Sequence, residues 1–81
     1  MAFWYRDIRK YCPINATTKH FRRIVVEASS IKAAEEAIER ELNMLCLGDD
    51  YHISRKIGGD LEGFATREDA ELDRLVHAVS D

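Results

Sequence analysis

Ile24-Val25-Val26-Glu27-Ala28-Ser29-Ser30-Ile31-Lys32-Ala33-Ala34-Glu35-Glu36-Ala37-Ile38 joins the end of a strand to the start of a helix. Ile24, Val26 and Ala28 alternate with Val25 and Glu27, the period of two that divides side chains between the faces of a sheet. The hydroxyl of Ser29 or Ser30 can then accept the unpaired backbone N–H groups that open a helix. Ile31, Ala34, Ala37, Ile38, Leu42 and Leu45 follow at three-to-four spacing, one apolar stripe opposite Lys32, Glu35, Glu36, Glu39, Arg40 and Glu41. Gly48, followed by Asp49 and Asp50, is the expected stop, because glycine readily adopts the left-handed cap conformation. A strand running into a helix over about residues 20–47 is the fixed point for the rest of the chain.

Downstream, Tyr51, Ile53, Arg55 and Ile57 alternate with His52, Ser54 and Lys56 until Gly58-Gly59, predicting a further strand. Gly58–Ala65 reads as a loop whose Leu61 and Phe64 fold back on the core. Thr66-Arg67-Glu68-Asp69 resembles a capping box with Asp in place of Glu, and Leu72, Leu75, Val76 and Val79 give the closing helix its stripe. Upstream, Met1, Trp4, Ile8 and Tyr11 fit a helical period, yet the aromatic enrichment of residues 3–11 favours a strand. Pro13, Asn15 and Thr17–Thr18 then turn it into the next strand. The expected fold class is α+β, a small β-β-α-β-α domain. Its three-stranded, mainly antiparallel sheet would place the third strand beside the first. Both helices would pack on one face, leaving the other exposed.

The 81 residues make one domain, 1–81, of globular composition: 46% hydrophobic, 33% charged, with four glycines and one proline. A chain this short buries only about 60–65% of its unfolded surface, so binding through an open face is easier than enclosing an active site. Two cysteines, Cys12 and Cys46, fit a reducing compartment better than a disulfide framework, and Cys46 between Leu45 and Leu47 reads as a buried small hydrophobe. Arg6, Asp7, Arg9 and Lys10 interrupt the apolar start at once, unlike a signal peptide. No apolar run approaches the roughly 20 residues that span a bilayer. A cytoplasmic protein with no membrane partner is expected.

Charge is divided along the chain. Residues 1–26 carry six basic side chains (Arg6, Arg9, Lys10, Lys19, Arg22, Arg23) against Asp7 alone. The remainder carries six basic side chains against fourteen acids, for a total of −3. Such a field steers a charged partner onto one surface and repels it from another. On the expected hairpin the basic residues lie among Phe3, Trp4, Tyr5, Tyr11 and Phe21, so Tyr5, Arg6, Arg9, Lys10, Tyr11, Lys19, Arg22 and Arg23 form the candidate partner-binding set. Arginine and tyrosine often carry interface energy, and the same mixture suits nucleic acid. A sheet face and a helix face of opposite sign are expected. Two ends of opposite sign can also pair across copies, making a homodimer a further expectation.

No sequence pattern supplies chemistry. His20, His52 and His77 with Cys12 and Cys46 lack the local pairs that structural zinc sites use. Gly58-Gly59-Asp60 does not continue into a phosphate-binding loop. No catalytic residue, cofactor or metal is therefore expected.

The stretch Phe21–Ile38, with its Val26-x-Ala28-x-Ser30 strand end and Ala33-x-x-x-Ala37 helix, resembles a layout common in small phage-encoded proteins. Several anti-CRISPR proteins directed at type I effector complexes are similar in this way, over the equivalent of about residues 2–57. The resemblance implies a non-enzymatic inhibitor that occupies a surface of a host protein complex, often where nucleic acid would bind. It transfers no functional residue. The basic hairpin and the added C-terminal helix depart from the strongly acidic members.

Overall fold

The structure, a computed structural model, describes residues 1–73. Strand β1 (Ala2–Cys12) turns through residues 13–16 into β2 (Thr17–Ala28); helix α1 (Ile31–Leu45), the short strand β3 (Tyr51–Ile53) and helix α2 (Arg67–Leu72) follow. The sheet is antiparallel throughout, in the order β2-β1-β3. The α+β class, the element order and the place of the third strand beside the first agree with the sequence reading. Leu75, Val76, Val79 and His77 lie outside the described residues.

Helix α1 behaves as its sequence dictates. Ser30 is the N-cap, its Oγ accepting from the Ala33 amide at 3.2 Å. The stripe residues Ile31, Ala34, Ala37, Ile38, Leu42 and Leu45 all pack on Trp4, Ile8, Ile24, Val26 and Ala28. The left-handed cap residue is Cys46 (φ 50°), two positions before Gly48, and this turn returns Leu47 to the same core. Cys46 is accordingly exposed, its thiol directed to the Asn43 carbonyl, where burial was expected.

Strand β3 is shorter than the expected Tyr51–Ile57. The Ser54 amide still donates to the Asp7 carbonyl (2.9 Å), but past it the chain leaves the ladder, and the Arg6 side chain takes up the freed carbonyls, donating from Nε to Ser54 (2.7 Å) and from Nη2 to Arg55 (3.1 Å). It returns to the edge of β1 at Gly58, which pairs with Tyr5, and at Phe64, which pairs with Phe3. Positive φ at Gly59, Asp60 and Gly63 turns the intervening loop around Trp4, whose indole donates to the Asp60 carbonyl at 2.8 Å. Phe64 stacks on Tyr5, whereas Leu61 at the loop's tip is 78% exposed instead of folding back.

The two helices occupy opposite faces, not one. Trp4 and Ile8 face α1, while the alternate residues Phe3, Tyr5 and Asp7 face α2 and the loop before it. Thr66 caps α2 by accepting from the Asp69 amide, but the buried α2 residue is Ala70, and Leu72 is 69% exposed. A single small side chain cannot hold the helix by apolar contact alone, so polar anchors from the sheet do much of the docking.

Candidate binding surface

The first use of the basic residues is internal. Asp7 is 1% exposed, and Arg23 meets it with a fork, Nε to Oδ1 at 2.7 Å and Nη2 to Oδ2 at 3.1 Å. The same guanidinium stacks 3.8 Å from the Tyr5 ring centroid, and its Nη1 reaches the carbonyls of Ala70, Glu71 and Asp73. Those are the carbonyls a helix end leaves unpaired, and a cation there also meets the negative end of the helix dipole. The Tyr5 hydroxyl donates to the Asp73 carboxylate. Burial, reinforced by that bond, holds the Tyr5 phenol well above its ordinary pKa, with Arg23 opposing, so it remains a donor. His20 completes the cluster with Nε2 at 3.1 Å from Asp7 Oδ1.

A bulge makes this convergence possible. Ile8 pairs with Arg22 and Arg9 pairs with His20, so Phe21 is an extra residue on β2. An inserted residue reverses the alternation beyond it. His20 therefore swings to the Asp7 side, whereas strict alternation from Arg22 would have placed it towards α1.

Three members of the expected set, Tyr5, Arg6 and Arg23, are thus committed within the fold. The other five remain on the distal half of the hairpin, beyond both helices, in a molecule 42 × 26 × 17 Å in extent. They divide between two faces. On the α2 side, Arg9 donates to Thr18 Oγ1 from Nε and Nη2, and Tyr11 meets His52 edge-on at 6.2 Å. Here Arg9, Thr18, His52, Ile53, Ser54, Arg55 and Lys56 line an open groove of about 580 Å³, and among the described residues no carboxylate lines it. On the α1 side lie Lys10, Lys19 and Arg22 with Phe21 and Tyr51.

His52, Arg55 and Lys56 were absent from the sequence-based set. The signal for His52 was available, since a third strand beside β1 pairs it with Arg9, whereas Arg55 and Lys56 reach the groove only because the chain leaves the sheet after β3. The charge separation also differs from the expected pair of opposite faces. Cations gather at the distal end on both sides of the sheet, where Asp49 and Asp50 are also exposed, the Asp50 carbonyl accepting from the Tyr11 amide; Glu35, Glu36, Glu39 and Glu41 on α1 and Glu68, Asp69 and Glu71 on α2 are exposed on the helices.

Among the described residues no helix is long and apolar enough to cross a membrane, and no three His, Cys, Asp or Glu residues group as metal ligands. Comparison with protein-family models found no match, and none was found among curated proteins or among solved structures.

Proposed function

We propose that this protein is a non-enzymatic binding module whose distal hairpin engages an acidic surface of a host protein complex, blocking it as a phage or mobile-element inhibitor of the anti-CRISPR kind would. The observation that carries this reading is the placement of Arg9, Lys10, Lys19 and Arg22, with Arg55 and Lys56, on an arm that neither helix covers. Interfaces draw their energy from arginine and aromatic side chains held on a rigid support, and the arm offers both. Interior location follows from the same reading, since such a target lies in the host cytoplasm.

Nucleic acid is the alternative occupant, favoured by the interleaving of cations with Tyr11, Phe21, Tyr51 and His52. Affinity capture from a bacterial lysate, with wild type and a variant carrying Arg9, Lys10, Lys19 and Arg22 reversed to Glu, tests the arm. A protein complex recovered only by the wild type supports the proposal; recovery unaffected by the reversal overturns it. Tight, steeply salt-dependent binding of purified wild type to free DNA or RNA favours the alternative. A second copy is the remaining partner that the charge separation fits. A size-exclusion volume that shifts from dimer to monomer as salt rises would support it, and a monomer at all salt concentrations would oppose it.

A further inference from the structure

Lys10 and Lys19 are direct cross-strand partners beyond the bulge. Like charges placed opposite one another in an antiparallel ladder destabilise it. No carboxylate relieves them: among the described residues neither Lys10, Lys19 nor Arg22 has an ion pair. Lys10 instead lies over the Tyr51 ring at 5.6 Å, Arg22 over the Phe21 ring at 5.8 Å, and the two rings meet edge to face at 4.9 Å. Phe21 is 44% exposed, and Ile53, which borders the Arg9 groove but is paired with the α1-facing Ile8, is 42% exposed. Cations on an edge strand commonly deter sheet-to-sheet aggregation, which would account for Lys19 and Arg22 on β2. It does not account for Lys10, because β1 is the central strand.

We propose that the α1-side face of the arm, formed by Lys10, Lys19, Arg22, Phe21, Tyr51 and Ile53, is the docking site for an acidic, apolar-bearing segment of a protein partner. This rests on the protein-binding reading above and specifies its face and chemistry. Carboxylates of the segment neutralise the lysine pair and Arg22, while its apolar side chains cover Phe21 and Ile53. Charge complementarity selects an acidic occupant, and the exposed apolar side chains select protein over nucleic acid. Phe21 and Tyr51 contact each other edge to face and so do not form a parallel stacking platform for successive bases.

The test is an NMR titration of the full chain with a short synthetic peptide alternating glutamate and leucine, alongside its glutamine counterpart and an oligo-thymidylate. The glutamate peptide should shift the amides of Lys10, Lys19, Phe21, Arg22 and Tyr51, and the glutamine peptide should leave them in place. Lys19→Glu should weaken that binding by roughly tenfold or more, the worth of a charge-assisted contact, while melting no lower than the wild type. Loss of binding without loss of stability distinguishes a site from a structural pair. Shifts confined to Arg9, His52, Arg55 and Lys56, stronger binding of the oligo-thymidylate, or no shift with any probe would each overturn the proposal. In the lysate capture, a partner lost on reversing Arg9, Arg55 and Lys56 but retained on reversing Lys10, Lys19 and Arg22 would overturn this face and leave the general function standing.

Discussion

At the base of the hairpin the Arg23 guanidinium is taken up by a carboxylate, three carbonyls and an aromatic ring. A few residues further along the same two strands, Lys10 stands opposite Lys19, and among the described residues no carboxylate pairs with either. Similar chemistry, on two strands of one hairpin, is used inside the fold on one side of the bulge and held outward on the other. What separates them is cover. The base has α2 and the Gly58–Phe64 loop over it, so an unpaired charge there would be buried at a cost of several kcal/mol. Neither α2 nor that loop covers the arm, and Lys10, Lys19 and Arg22 there are exposed.

The comparison breaks most severely at Arg23. Arg23→Leu leaves Asp7 buried without its principal counter-charge and should lower stability by about 3–5 kcal/mol, measured by urea unfolding. Arg23→Lys keeps the charge but loses the planar fork, and should fall between that variant and wild type. Gly58→Ala comes next. A Cβ there would lie 2.0 Å from Tyr5 Cε2, and the ring is confined by Arg23, Phe64 and the bond to Asp73. Overpacking of this kind costs about 1–3 kcal/mol, visible as a lowered Tm.

Tyr5→Phe should cost about 1–2 kcal/mol at neutral pH through the lost hydrogen bond to Asp73. It also sharpens the comparison through pH. Folding raises the Tyr5 pKa, so its contribution is complete below the unfolded value of about 10 and is lost as pH climbs above it. Wild-type stability should therefore fall above that pH more steeply than that of Tyr5→Phe, as urea midpoints across the alkaline range would show. The smallest effect belongs to the arm. Lys19→Glu places an acid opposite Lys10 and should add about 0.2–1 kcal/mol, an opposite sign to every change at the base.

Period, cap and stripe all point the same way over Ile24–Ile38, where a strand does run into a helix, and each rests on local physics. The N-terminal strand was readable from its aromatics for the same reason. The misread features depend on contacts between distant residues. The placement of α2 is set by Arg23 and Tyr5 acting on polar atoms, which a hydrophobic period does not register. The shortening of β3 goes with the Arg6 side chain meeting two carbonyls 48 and 49 residues away. The bulge at Phe21 leaves no mark in the composition of His20-Phe21-Arg22-Arg23, yet it reassigns His20 to the Asp7 cluster. For the candidate surface, the basic cluster could be located from the sequence. The commitment of Tyr5, Arg6 and Arg23 to the interior could not, because burial of a cation depends on a partner elsewhere in the chain.

The reach of Arg23 also orders events in time. Its contact with Asp7 spans 16 residues and can close as soon as the hairpin forms, whereas its contacts with α2 span 47–50 residues. Closing the longer loop carries the larger entropic cost, so the helix should arrive on a hairpin whose ion pair is already made but still wet. On that order, loss of the α2 contacts should appear chiefly as faster unfolding, with the refolding rate little changed. Stopped-flow kinetics of Ala70→Gly, which weakens α2 and leaves Asp7 and Arg23 in place, would read the sequence of events directly; slowed refolding would show that α2 docks before the rate-limiting step.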